Sequence, residues 1–424
     1  MRLDEDRQAV QRLRGDRGSR QERDGFPERE GRRHAGRAID DHGALGKART
    51  VLKSPKKQPS QGAMRLFQNA AIGPSYPKFL AAVRSGVSGY RGLLEAFMTD
   101  RYNAPHILEP VMTGDPDAFF TNGDDVPLQR AWAREQGMPD RSSLNDILLA
   151  QIEAHRTEVF YNTDPIWYGP QIMARLPGTV KRTIAWRAAP SPAIDFGRYD
   201  LMVCNFESIL ENYRKEGRPS AYFAPAHDPQ LDACAANEQR PIDVLFTGIY
   251  SRHHTRRAAL LEAVGALGSR YRVCFALDRA PLTRLAETPI GVLPPLRKYR
   301  RPKSIRTMAR PPVFGRALYG LLSQAKIVLN GAIDMAGNDR GNMRCWEALG
   351  AANLMVSDEG NYPDGMRNGE TLVTYRTPDD AVRVIEQYLE RPDEARWIAK
   401  AGHAMIRECY SKRNQWLAFQ KLVG

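Results

Sequence analysis

Ala325-Lys326-Ile327-Val328-Leu329-Asn330 is a short, largely apolar run that ends on an asparagine, and Gly331 to Gly341 follows it as a glycine-bearing loop. Asn342-Met343-Arg344-Cys345-Trp346-Glu347-Ala348-Leu349-Gly350 then has the pattern of a helix starting near Asn342. A strand apolar on both faces, a loop and a helix make one βα unit of a parallel sheet. The same alternation extends in both directions. Towards the C-terminus, strands are expected at 353–358 and 371–375, and towards the N-terminus at 243–248, 272–277 and 290–293. A first series is expected at 65–72, 158–162, 183–187, 200–205 and 220–224, with helix between the first two, including Leu128 to Glu135 and Ser143 to His155. Pro225 to Pro229 and the polar stretch through Gln239 separate the two series. Beyond 375, Ala381, Val384, Ile385 and Leu389 make one helical face, and Trp397, Ile398, Ala401 and Met405 another.

This reading gives an α/β protein of two Rossmann-like parallel-sheet domains facing a central cleft, over residues 64–228 and 229–395. Helices at 396–424 are expected to pack back towards the N-terminal domain. The chain has 424 residues, 42% of them hydrophobic and 26% charged, which suits two packed domains. Residues 1–63 hold 16 Lys or Arg against 10 Asp or Glu, with Phe26 their one aromatic residue, so nearly half of the net charge of +13 lies there. Two readings of that segment stand: a disordered basic tail, or a non-native extension upstream of Met64. Five cysteines without C-x-x-C spacing point to reduced thiols, and the absence of a long apolar run or leader core points to the cytoplasm.

In parallel sheets ligands bind beyond the carboxyl ends of strands, so the loop 331–342 is the first place to look. Amides at a helix start near Gly341 and Asn342 suit phosphate, and Arg340 or Arg344 can add fork-shaped donors. Glu347, further along the helix, can accept from two ribose hydroxyls; the alternative is a capped helix with an exposed Arg344–Glu347 pair. Asp164 follows a first-series strand and is either an acceptor base or a turn cap before Pro165. His227 is either a substrate-orienting or a structural residue. His253 and His254 lack further ligands at metal spacing, so no metal site is expected. Arg297 to Arg316 contains eight Lys or Arg and no acid. Its prolines predict a loop, either solvated or meeting an anionic acceptor or membrane.

The stretch Leu321 to Tyr375, with Glu347-Ala348-Leu349-Gly350, Val356-Ser357-Asp358 and Asn368-Gly369-Glu370, resembles the C-terminal half of group 1 glycosyltransferases. It is most similar to their spore-maturation-protein-like (CgeB-like) branch. Leu128 to Gly137, Tyr222 to Pro225 and Val244 to Gly248 extend the likeness. The resemblance implies GT-B architecture and transfer of a sugar from a nucleoside diphosphate sugar to a hydroxyl of a glycan, lipid-linked or protein acceptor, without cofactor or metal. Many members carry two glutamates eight positions apart; Glu347 matches the ribose-binding second, and Asp339 stands in place of the first, near the donor sugar. The resemblance also implies that Gly248 and a basic residue, Arg256 in the best register or else Arg252 or Arg257, meet the pyrophosphate. A sugar-nucleotide epimerase and a non-catalytic sugar-nucleotide-binding homologue are alternatives. A dinucleotide oxidoreductase lacks its G-x-G-x-x-G, and no zinc-finger, RRM or KH signature supports specific nucleic-acid binding. Peripheral contact with an anionic membrane is a further expectation.

Because residues 1–63 offer no apolar partner to a core, deleting them should leave the melting temperature and nucleotide affinity unchanged. Loss of soluble protein on deletion would contradict this.

Overall fold

The computed structural model describes residues 64–424 except 192–193, 253 and 332–335. The segment 1–63, His253 and the start of the 331–342 loop thus lie outside the described residues. Two six-stranded sheets, parallel in every pairing, organise the rest. The first contains β1 (Leu66–Ala70), β2 (Ala118–Asn122), β3 (Val159–Asn162), β4 (Arg182–Trp186), β5 (Leu201–Cys204) and β6 (Ser220–Tyr222) in the order β2-β1-β3-β4-β5-β6. The second contains β7 (Ile242–Ile249), β8 (Val273–Asp278), β9 (Ala309–Arg310), β10 (Ala325–Leu329), β11 (Leu354–Asp358) and β12 (Val373–Tyr375) in the order β12-β11-β10-β7-β8-β9. Each sheet reverses its winding once, between β1 and β3 and between β7 and β10. Chains leaving the strands on either side of such a point diverge and open a crevice at their carboxyl ends.

The structure corrects several local expectations. Residues 289–292 form a 3-10 turn rather than a strand, and β2 and β9 were not anticipated. The proline-rich basic run is not a plain loop: Leu296–Tyr299 is a 3-10 turn and Lys303–Met308 an α-helix, with Pro295 and Pro302 at their N-caps, where a missing N–H costs nothing. In the Pro392–Cys409 helix the buried face is Ile398, Ala399, Gly402 and Ile406, while Trp397 is exposed. That helix runs unbroken across 395/396, with Ile398 and Ala399 in the second sheet's core. It is the following helix, Lys412–Val423, that reaches the first sheet, where Phe419 joins the core of Tyr161 and Phe223. Lys412 itself is buried, and its ammonium donates to the carbonyls of Ala104 and Ile107 (2.7 Å for the latter).

Polar side chains lock the strand ends of the first sheet. Asn69 Nδ2 donates to Asn162 Oδ1 (2.9 Å), Asn122 Nδ2 donates to the Ala70 carbonyl, and Asn69 Oδ1 accepts the Gly123 amide. Nearby, Arg84 pairs with Asp125 at 2.6 Å, with side chains only 6% and 1% exposed, and Asp125 also caps the helix Val126–Glu135. Removing one partner of such a pair strands the other charge out of water. Asp125→Ala should therefore lose about 3–5 kcal/mol of stability in urea titrations. Glu95→Ala, breaking the exposed Arg91–Glu95 pair, should leave the midpoint unmoved. Equal effects would show that burial does not govern the first pair.

Candidate active site

The two crevices face one another, and between them lies a cavity of about 270 Å³. The first sheet contributes Trp186 at the end of β4 and Ala188 after it, Asn205 and Phe206 after β5, Pro225 after β6, and His106 from the 3-10 turn Ala104–His106. The second contributes Asn330 after β10, Asp339 to Met343, and Arg257 in the first turn of the Thr255–Ala266 helix.

The cavity floor is the start of the Met343–Gly350 helix. Asn342 is its N-cap with extended backbone but makes no side-chain cap bond; its amide instead donates to Asn330 Oδ1 (3.0 Å). Asp125, Ser143, Thr377 and Ser411 cap their own helices, whereas this helix, like Glu207–Lys215, Thr255–Ala266 and several others, has no side-chain cap. An eight-residue helix thus presents its N-terminal amides and dipole to a cavity without a side-chain acceptor of its own, an arrangement suited to an anion. Gly341 has φ 127°, and a Cβ there would fall 2.9 Å from both Asn205 Nδ2 and Pro363 Cγ, so only glycine fits. Gly248, at φ 149°, is the penultimate residue of β7 and lies outside the cavity lining; Arg344 ties the helix to this strand by donating to the carbonyl and hydroxyl of Thr247.

The site residues expected from sequence are used unequally. Arg344 is committed to Thr247 and faces Glu347 at 3.9 Å, so it braces the helix against β7 rather than facing the cavity. Arg340 is held by Asp358 at 2.6 Å while still lining the cavity. Glu347 is 4% exposed and does not line the cavity. Burial raises its carboxyl above the usual glutamate range, against the pull of Arg344. Arg256 is exposed on the helix, whereas Arg257 lines the cavity and donates to the Gly331 carbonyl at 2.6 Å. Asp339 lines the cavity, but its Oδ2 accepts the Ser208 amide (2.7 Å) near the start of the Glu207–Lys215 helix of the opposite lobe. His227 is buried outside the cavity, its Nε2 2.9 Å from Asp232.

Asp164 lies half-buried beyond β3 and outside the cavity lining, next to a residue that sequence reading missed. Asp124 follows β2 and accepts the Ile72 amide at 2.9 Å. Burial pushes its carboxyl up to about 6; the Ile72 amide opposes the rise and the Asp164 charge adds to it. His106 was also missed. It is edge-on to Trp186 at 4.7 Å, and burial, with Lys412 second, lowers its imidazole to about 4, so it is neutral near pH 7. Recognition of β2 would have exposed Asp124; nothing local marks His106.

Residues 257–420 match the model of a family described as glycosyl transferase-like. The fold is similar to that of Anabaena HepE in complex with UDP and glucose, at TM-score 0.52 and 11% identity, covering 85% of this chain and 99% of that one. The same protein in complex with UDP-glucose gives TM-score 0.52, 9% identity and the same coverage. A sucrose-phosphate synthase from Thermosynechococcus elongatus gives 0.48 at 11% identity, over 85% of this chain and 98% of that one. No curated protein sequence matches the chain. The likeness to solved structures is one of fold, the GT-B arrangement. The family match over residues 257–420 makes this an enzyme of glycosyltransferase type.

The placement of the two adjacent arginines yields a direct test. Arg257→Ala should weaken a nucleoside diphosphate about tenfold or more while leaving the nucleoside unaffected, and Arg256→Ala should change neither. Calorimetry showing the reverse dependence would move the phosphate site along the helix.

Proposed function

We propose that the chain transfers a sugar from a nucleoside diphosphate sugar to a hydroxyl acceptor, as a group 1 glycosyltransferase of the CgeB-like branch. The observation that carries this reading is the N-terminus of the Met343–Gly350 helix at the cavity floor, free of a side-chain cap, with Gly341 and Arg257 lining the cavity beside it. The diphosphate lies against these amides, which stabilise the charge developing on the leaving group. An Asp115-x-Asp117 pair precedes β2, at the sheet end away from the cavity, so the proposed transfer does not route through an Asp-x-Asp metal site.

Glu347 is the ribose-binding residue in this reading, which requires that the lobes part to uncover it, since in the closed arrangement it is buried outside the cavity lining. Its carboxylate is expensive to hold without strong donors, and two vicinal hydroxyls supply them. Asp339 stands on the donor-sugar side and His106 faces it from the other lobe as a neutral hydrogen-bonding group. The acceptor hydroxyl approaches from the first lobe, where Asp164 and Asp124 offer a carboxylate pair. A carboxyl near 6 is closer to neutrality than an ordinary aspartate and so better matched to proton abstraction. Since the similar Anabaena structures carry UDP and UDP-glucose, UDP-sugars are the first donors to try.

Glu347→Gln keeps the shape but removes the charge, and loss of two charge-assisted hydroxyl contacts corresponds to about 1.5–3 kcal/mol. UDP and uridine should both bind about 10- to 150-fold more weakly to a folded variant. Unchanged uridine affinity would remove Glu347 from the site. Stabilisation of the wild-type chain by a UDP-sugar with no turnover on any acceptor would leave binding without catalysis.

A further inference from the structure

Between Asp278, where β8 ends, and Ala309, where β9 begins, the second lobe carries a folded knob. It comprises the helix Pro281–Ala286, the 3-10 turns Pro289–Val292 and Leu296–Tyr299, and the helix Lys303–Met308. Its inner side is firmly tied. Glu287 accepts from Arg301 through Nε (2.5 Å) and Nη2 (2.9 Å) and pairs with Arg279 at 3.3 Å. Arg300 donates to the Ala286 and Thr288 carbonyls (2.6 and 2.8 Å). Gly291 packs so closely that a Cβ would sit 1.8 Å from the Ala286 oxygen. Arg300 and Arg301 are therefore structural members of the basic run.

The outer side has a different character. Leu282, Leu285, Ile290, Val292 and Leu293 are each 46 to 61% exposed. Among the described residues they are five of the eight large apolar side chains at least 46% exposed, gathered within one 12-residue stretch. Single exposed apolar residues are ordinary, but such a cluster has to be covered by something. Around it Arg284, Arg297, Lys298 and Lys303 are exposed, and the sequence has no carboxylate between Glu287 and Asp334.

We propose that this knob is a peripheral anchor for an anionic bilayer: the five apolar side chains enter the acyl boundary and the basic ones lie among lipid phosphates. Charge complementarity selects this occupant, since a second copy meeting the patch through a two-fold axis would set like charges against each other. No helix among the described residues is long and apolar enough to cross a membrane, so the contact is interfacial. The knob rises from the carboxyl end of β8, the sheet end that opens on the cavity. At its base Asp278 accepts the Ser75 hydroxyl of the opposite lobe at 2.5 Å. An anchored chain holds its cleft mouth at the headgroups, where a lipid-linked hydroxyl is the accessible acceptor. This last step rests on the proposed glycosyl transfer; the anchor itself does not.

The test is co-sedimentation of the full chain, without nucleotide, with vesicles of phosphatidylcholine alone or mixed with phosphatidylglycerol. The wild type should bind the anionic vesicles and lose binding as salt is raised. Ile290→Ser, Val292→Ser and Leu293→Ser together should weaken binding at least about tenfold. Arg284→Gln, Arg297→Gln, Lys298→Gln and Lys303→Gln together should leave only weak binding of reduced salt sensitivity. The basic segment 1–63 is present throughout, so differences between variants report the knob. Because the substituted side chains are exposed, melting temperatures and UDP affinity should be unchanged. Wild-type protein that ignores anionic vesicles, or an apolar variant that binds them equally well, overturns the anchor. A wild-type dimer abolished by the apolar substitutions, without vesicle binding, overturns it in favour of a second copy. UDP binding measured without vesicles tests the transferase reading separately: its loss with vesicle binding intact sinks the lipid-linked acceptor but leaves the anchor standing.

Discussion

The ammonium of Lys412, enclosed between the carbonyl oxygens of Ala104 and Ile107, is the contact on which the geometry of the cleft depends. Burial draws its pKa down to about 7, and the nearby Asp228 charge works in the other direction. An ammonium is costly to remove from water, and the two carbonyls offset that cost only if the Ala104–His106 turn keeps its position. Gln68 holds the same turn from β1, donating to the His106 carbonyl and accepting the Leu108 amide (2.8 and 3.0 Å). The imidazole of His106 is thereby presented to the cavity by a segment clamped between β1 and the C-terminal helix, although it sits in no regular strand or longer helix.

The second sheet was legible because its strands are written plainly. Val244 to Gly248, Ala325 to Leu329 and Leu354 to Asp358 are apolar runs closed by small or polar residues, and burial on both faces leaves little else for them to be. Ala118 to Asn122 has the same character but is five residues long and lies among helical segments, where a short apolar run does not declare its period. Ile290 to Leu293 shows the opposite failure. Its apolar residues face outward on a 3-10 turn, a placement that hydrophobicity alone reads as a buried strand.

The candidate site was legible as a region and less so as a set of side chains. Gly341, Asn342 and the following helix stand where a βα unit places an anion, because strand order and helix polarity are enforced by the whole sheet. Which arginine faces inward is a matter of one helical step of about 100°, and that separates Arg257 from Arg256. Likewise Arg344 has the chemistry of a phosphate ligand, yet its guanidinium is taken up by Thr247. Residue type was readable from sequence; competition among partners was not. The backbone amide of Ser208 claims Asp339 and the side-chain Nδ2 of Asn205 donates to the Gly341 carbonyl at 2.5 Å, both across the cleft from sequence-distant positions.

The two lobes are joined by two passages of chain, one leaving β6 towards β7 and the other between the last two helices. At that crossing the passages are bonded to each other, the His227 amide donating to the Tyr410 carbonyl at 2.7 Å, while the neighbouring Ala226 amide ties the first passage to the Ala104–His106 turn through the Pro105 carbonyl at 2.8 Å. A single strap lets one body swivel freely about another. Two straps fastened side by side restrict twisting and sliding and leave rotation about the line through them, as in a door with paired hinges. Any widening of the cleft is then a swing about that line, and it has to part the bonds that close the lobes on each other, Asn205 to Gly341, Ser208 to Asp339 and Ser75 to Asp278.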